Sequence, residues 1–266
     1  MRWRALIAAC AALMVQAVPA VAGSDLIRLT DREDLFGWEA VGRLDLEGQG
    51  YCTGALIAPD LVLTAAHCVY DEVGRLIAPS HITFSAGLRD GEFISQSGIA
   101  QIAAHVGYTP APRLTGEMIR FDAALLKLAE AIPAATASPF VIASAEAQAG
   151  STVSVVSYGQ GRDAALSWQR ECGVTAAGRG LMAFDCDVTF GSSGAPVFAR
   201  RMGQRQRIVS LISAGDSEMA YGMELPALVE DLKRALRAAP PAAGTIPPRA
   251  ETGRGGEAAG AKFAKP

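Results

Sequence analysis

Charge of one sign is the first thing this sequence lacks. Its 24 Lys and Arg stand against 27 Asp and Glu, a formal net charge of −3. That leaves no basic field to hold nucleic acid or an anionic lipid surface, so neither is expected as a partner. No CxxC spacing occurs among the five cysteines, which speaks against zinc; no metal and no cofactor are expected. No apolar run reaches the roughly 20 residues of a membrane-spanning helix. The candidate near the start is broken by Gln16 and Pro19. Aromatic residues are few, although half of the chain is hydrophobic, a globular composition with Ala and Gly in excess. Internal repeats are absent. At 266 residues the chain is long enough for one large or two small domains with a real core.

What is present begins with a targeting pattern. Arg2 and Arg4 precede the apolar "ALIAACAALMVQAV", and Ala20 to Ala22 supply small residues for cleavage before Gly23. Residues 1–22 therefore read as a signal peptide, and the product as secreted or periplasmic, with no membrane insertion once the signal is removed. Residues 23–36 are polar and charged, a short leader or possible propeptide. Cleavage removes Cys10 and leaves Cys52, Cys68, Cys172 and Cys186. In an oxidising compartment an even count favours disulfides. Four cysteines allow three connectivities. Near-neighbour pairing would close two short loops, each stabilising by about 3 kcal/mol in the chain-entropy picture.

From Val41 the chain turns into short apolar runs punctuated by Gly, Pro and Asp. "VGRLDL", "YCTGALIA", "LVLTAAHC", "HITFSAGL", "AALLKLAEAI", "STVSVVSYG", "GAPVFAR" and "RIVSLISAG" read as strands. Helix-length periodicity is missing through this region, so an all-β sandwich or barrel is expected. Only "PALVEDLKRALRAA", Pro226 to Ala239, is helical: Leu228, Val229, Leu232 and Leu236 share one face, and Pro226 suits a first turn. The remainder, 241–266, is rich in Pro, Gly and Ala and reads as a disordered tail.

Three places carry candidate chemistry. "LTAAHC" sets His67 at the end of an apolar strand, beside a cysteine. "RFDAALLKL" sets Asp122 before a run of small and aliphatic residues, where a carboxylate needs a cationic or N–H partner. "GSSGAPVF" offers Ser192 and Ser193 in a glycine turn. Each alone has an ordinary structural explanation. Together they supply a hydroxyl, a base to activate it and a carboxylate to orient the base. Gly191 and Gly194 add a backbone able to aim N–H groups at a developing oxyanion.

In order and approximate spacing, "YCTGALI", "LTAAHC", "DAALLKL" and "GSSGAPVF" resemble the signature blocks of the chymotrypsin-like (trypsin-fold) serine proteases. The resemblance runs from about Phe36 to about Ala239. It implies two six-stranded antiparallel barrels, about 37–140 and 141–225, and a C-terminal helix within a protease domain at 37–240. It implies a serine endopeptidase with a protein or peptide substrate, acting as a monomer through an acyl-enzyme. His67 would be the general base, Asp122 its orienter and Ser193 the nucleophile, with the Gly191 and Ser193 amides as the oxyanion hole. Cys52–Cys68 would match the family's bridge beside the histidine. Rival readings are a catalytically silent binding protein on the same fold, or a serine esterase.

Departures from the vertebrate-type pattern are informative. Ser192 stands where those members carry an Asp that pairs with a new N-terminal amine, Ala195 replaces a glycine, and no Ile-Val-Gly-Gly start occurs. The chain thus resembles the bacterial trypsin-like and glutamyl-endopeptidase-like branch. For the substrate pocket the resemblance points to Asp187, Ser213 and Gly215. A carboxylate at the bottom of an apolar slot favours a basic side chain. However, Thr189 replaces a pocket-shaping cysteine, which leaves Asp187 free to turn away and keeps a preference for small or apolar side chains equally open. Ile212 stands where glutamate-preferring relatives carry a histidine, which speaks against acidic preference.

Overall fold

The computed structural model describes residues 26–238, except 112, 145–146, 200–205 and 217. The stretch expected to be a signal peptide, 1–22, the start of the expected leader and the expected tail, 241–266, lie outside the described residues.

Six strands of the first half close on themselves. They are β2 (Val41–Leu46), β3 (Gly50–Ala58), β4 (Leu61–Thr64), β5 (Ile82–Ala86), β6 (Ser95–Ala104) and β7 (Ala124–Leu128). The ring runs β2-β3-β4-β7-β6-β5, antiparallel throughout. Strand β3 is buried from Gly50 to Leu56, since it serves the barrel interior and also packs on the second half. Gly42 in β2 lets the Phe84 ring lie across the backbone; a Cβ there would stand 2.4 Å from that ring. The short helix α1 (Gly116–Ile119) leads into β7, and Thr115 caps it by accepting the Met118 N–H at 3.4 Å.

The second half is an open path of short strands: β8 (Val141–Ile142), β9 (Thr152–Ser157), β10 (Ser167–Gly178), β11 (Leu181–Phe184), β12 (Pro196–Ala199), β13 (Arg207–Leu211), β14 (Ala214–Gly215) and β15 (Ala220–Met223). Their order is β14-β15-β11-β10-β9-β12-β13-β8. The pairs are antiparallel except β13 with β8. The all-β expectation holds, with one half a closed barrel of six and the other a mixed sheet. Strands β8 and β14 are two residues long and end the path.

Two segments tie the halves together. Residues 26–36, read from sequence as a leader, are folded onto the domain. Strand β1 (Leu26–Arg28) pairs with β10, Arg28 forms an ion pair with Asp90, and the Thr30 carbonyl accepts from Arg89 Nη1 at 3.1 Å. Leu29 and Leu35 are buried, and Trp38 enters a cluster with Phe140, Trp168 and Phe198. At the other end α2 (Pro226–Ala238) leaves the second sheet and docks on β6 and β7 through Leu228, Val229, Leu232 and Leu236, the face expected from sequence. Among the described residues no helix is long and apolar enough to cross a membrane.

Candidate active site

After β4 the chain makes one turn of 3-10 helix, Ala66–Val69, which carries His67. Cys68 bonds to Cys52 of β3 across a Cα–Cα distance of 6.3 Å, anchoring that turn to the barrel wall. Asp122 lies between α1 and β7 and is fully buried. A carboxylate there needs donors, and it has three. The His67 backbone N–H donates to Oδ1 at 2.8 Å, His67 Nδ1 to Oδ2 at 2.7 Å, and the Ser213 hydroxyl to Oδ2. With Nδ1 facing a carboxylate, the neutral imidazole holds its proton there and keeps its lone pair on Nε2. That nitrogen is buried and hydrogen-bonds no described group.

The serine turn is built around two glycines. The Ser192 N–H donates to the Thr189 carbonyl at 2.9 Å, with Gly191 at φ +87° in the third position, as a type II turn requires. The Phe190 carbonyl accepts from the Gln160 N–H at 2.6 Å. Across a trans peptide N–H and C=O point opposite ways, so the Gly191 N–H is directed away from Gln160. A side chain at Gly191 has no room: its Cβ would lie 2.3 Å from the Tyr51 ring and 2.5 Å from the Tyr158 carbonyl. Gly194 (φ +76°) is equally tight against Thr64 and Thr53.

Thr53 of β3 clasps this turn from the first barrel. Its N–H donates to the Ser193 carbonyl at 2.9 Å and its hydroxyl to the Gly191 carbonyl at 2.8 Å. Behind the turn, the Gly194 N–H donates to the Ile212 carbonyl at 2.7 Å, the residue before Ser213. The two serines are then distinguishable. Ser192 is spent inward, its hydroxyl on Ser157 Oγ at 3.1 Å and accepting the Thr189 N–H at 3.4 Å. Ser193 is buried between two glycines with its carbonyl fixed by Thr53.

The structure therefore gathers His67, Asp122, Gly191 and Ser193 along the seam between the halves. Both disulfides form with near-neighbour pairing, Cys172–Cys186 bridging β10 to the strand-end after β11. Of the pocket candidates, Ser213 spends its hydroxyl on Asp122, and Gly215 sits in β14 opposite Ala220. Asp187 is exposed, with its own N–H held by Gln169 Oε1 at 2.8 Å, so it is not enclosed in an apolar slot. Thr53, Gln160 and the acid-binding role of Ser213 were missed from sequence, because backbone amides and ordinary hydroxyls leave no compositional mark. Cys52, His67 and Cys68 cluster as potential metal ligands, but both sulfurs are consumed in a disulfide.

Residues 52–204 match the trypsin-like peptidase domain family. Among solved structures, the chain is similar to a Glu endopeptidase in complex with MPD, at 21% identity and a TM-score of 0.64, covering 80% of this chain and 97% of that one. It is similar to protease Anisep from Arthrobacter nicotinovorans, at 16% identity and a TM-score of 0.62, covering 76% of this chain and 96% of that one. It is also similar to a thermostable serine protease, AL20, from an extremophilic microorganism, at 18% identity and a TM-score of 0.63, covering 76% of this chain and 98% of that one. At these identities the likeness establishes the shared fold.

Proposed function

This chain belongs to the trypsin-like peptidase domain family, and from that membership we propose that it is an exported serine endopeptidase working through Ser193, His67 and Asp122. The observation that carries the reading is the buried Asp122–His67 pair, which leaves Nε2 as an unpaired base. In the first step Ser193 Oγ attacks the carbonyl carbon of the scissile peptide while its proton passes to Nε2. A hydrogen bond from Ser193 Oγ to Nε2 is expected to form when substrate binds. Asp122, already satisfied by three donors, remains a carboxylate and stabilises the imidazolium. The negative oxygen of the tetrahedral intermediate is received by the Gly191 and Ser193 amides. The C–N bond then breaks, His67 returns the proton to the leaving amine, and an ester on Ser193 remains. Water repeats the sequence, its proton going to His67, and releases the acid.

Export is supported by the signal pattern at 1–22 and by two disulfides, which persist in oxidising compartments. N-terminal sequencing of the exported protein is expected to begin at Gly23. The central test is active-site labelling with a fluorophosphonate. The wild-type chain is expected to label and Ser193→Ala to stay unlabelled. A folded wild type that resists the reagent would sink the reading in favour of a silent binding protein.

A further inference from the structure

Beside the turn of Gly191 lies a cation with no counter-ion in contact. Arg162 follows the Gly159–Gln160 segment, its own N–H donating to the Gly159 carbonyl at 2.9 Å. Its guanidinium folds back over Gly159. A Cβ built there would stand 2.8 Å from Arg162 Nη2 and 2.9 Å from Thr189 Cγ2, so the guanidinium and Thr189 both border Gly159. Thr189 opens the turn that closes on Ser192, and Gln160 holds the Phe190 carbonyl of the same turn. The cation thus lies beside the segment that holds the turn of Gly191.

Its partners are what is missing. Arg28, Arg43, Arg75, Arg89, Arg120 and Arg234 each reach a carboxylate. Arg162 makes no such pair among the described residues, and its Nη1 is buried with no hydrogen-bond partner. The Tyr51 hydroxyl nearby is likewise buried and unpartnered, and the Tyr51 ring abuts Gly191. Burial holds the Arg162 pKa below its usual value, and the charge of Asp187 only partly opposes this. Asp187 is exposed and makes no contact with the guanidinium that qualifies as an ion pair, so water screens it.

A guanidinium drawn out of water without a counter-ion is costly, and a carboxylate arriving at it recovers that cost through charge-assisted bonds. A neutral side chain recovers none of it, and a lysine or arginine is repelled. We propose that Arg162, with Tyr51 beside it, is a specificity-determining residue that selects substrates carrying an Asp or Glu side chain next to the scissile bond. The assignment rests on the serine endopeptidase reading. It departs from the expectation drawn from Ile212, because the cation comes from the Gly159–Arg162 segment instead of the strand before Ser213.

The test compares peptides that differ only by Glu or Gln at each position flanking the cut. At one of those positions the wild type is expected to favour Glu by about tenfold in kcat/KM, the scale of one well-placed charge-assisted contact. Arg162→Gln is expected to bring that ratio close to one. Arg162→Lys should retain part of it, keeping the charge but losing the planar fork. Raising salt should shrink the wild-type ratio, a measurement that needs no variant to fold. A ratio near one in the wild type, or a ratio unmoved by Arg162→Gln and by salt, overturns the assignment. Fluorophosphonate labelling separates the two claims. Labelling without acidic preference ends only the role of Arg162, whereas absence of labelling ends the peptidase reading itself.

Discussion

At the scale of single residues, the two adjacent serines make the sharpest contrast. Ser192→Ala loses bonds to Ser157 and to the Thr189 N–H, which should cost about 1 kcal/mol of stability and leave labelling intact. Ser193→Ala should lower kcat by a factor of about 10⁴ or more with the melting curve unchanged. Comparable loss of kcat in both would show the nucleophile misassigned. Gly191→Ala forces a methyl into the Tyr51 ring and the Tyr158 carbonyl, so the turn must shift. A drop of about 10² to 10³ in kcat is expected, the scale of one displaced oxyanion donor. An unimpaired Gly191→Ala enzyme would mean that this amide receives no charge. The candidates His67, Asp122 and Ser193 could be picked out of the sequence because each is a chemically distinctive residue in a specific block. Thr53 and Gln160 were not, since their contribution passes through main-chain hydrogen bonds that many residues could supply.

Elements were legible where burial is one-sided and apolar. Helix α2 announced itself by Leu228, Val229, Leu232 and Leu236. Strands β6 ("SQSGIAQIAA") and β10 ("SWQRECGVTAAG") escaped because Ser, Gln, Gly and Ala mask their alternation; their pairing with neighbours on both sides makes them strands. The same masking hid residues 26–36, where Leu29 and Leu35 sit among Arg, Asp and Glu. Because Leu35 is buried, Leu35→Ala should destabilise by about 2 to 4 kcal/mol in denaturant titrations. A loss within 0.5 kcal/mol, the range typical of surface sites, would mark the segment as a detachable leader after all. Activation by a new N-terminal amine is not expected, since Ser192 bonds to Ser157 where an ammonium partner would need an acid. Chains beginning at Gly23 and chains extended by a few residues should therefore label equally fast. Labelling confined to a shortened species would contradict this.

Over the whole molecule, both bridges hold short loops, of sequence separation 16 and 14. Each should contribute about 3 kcal/mol, but their loss should differ in kind. Replacing Cys172 and Cys186 by serine should lower the melting temperature and spare kcat. Replacing Cys52 and Cys68 should lower both, because Cys68 adjoins His67. Equal effects on kcat would remove the distinction. The crossing of the ends has a broader consequence. The first described residues, Leu26–Arg28, lie on the far sheet, and the last described helix, α2, lies on the near barrel. Neither half can swing away unless an arm belonging to the other lets go. A single calorimetric transition is expected, and neither half should be recoverable when expressed alone. For a peptidase, whose own chain is a potential substrate, this is protection. Cleavage by a sibling needs a locally opened stretch of chain, and crossed arms keep the halves from opening one at a time.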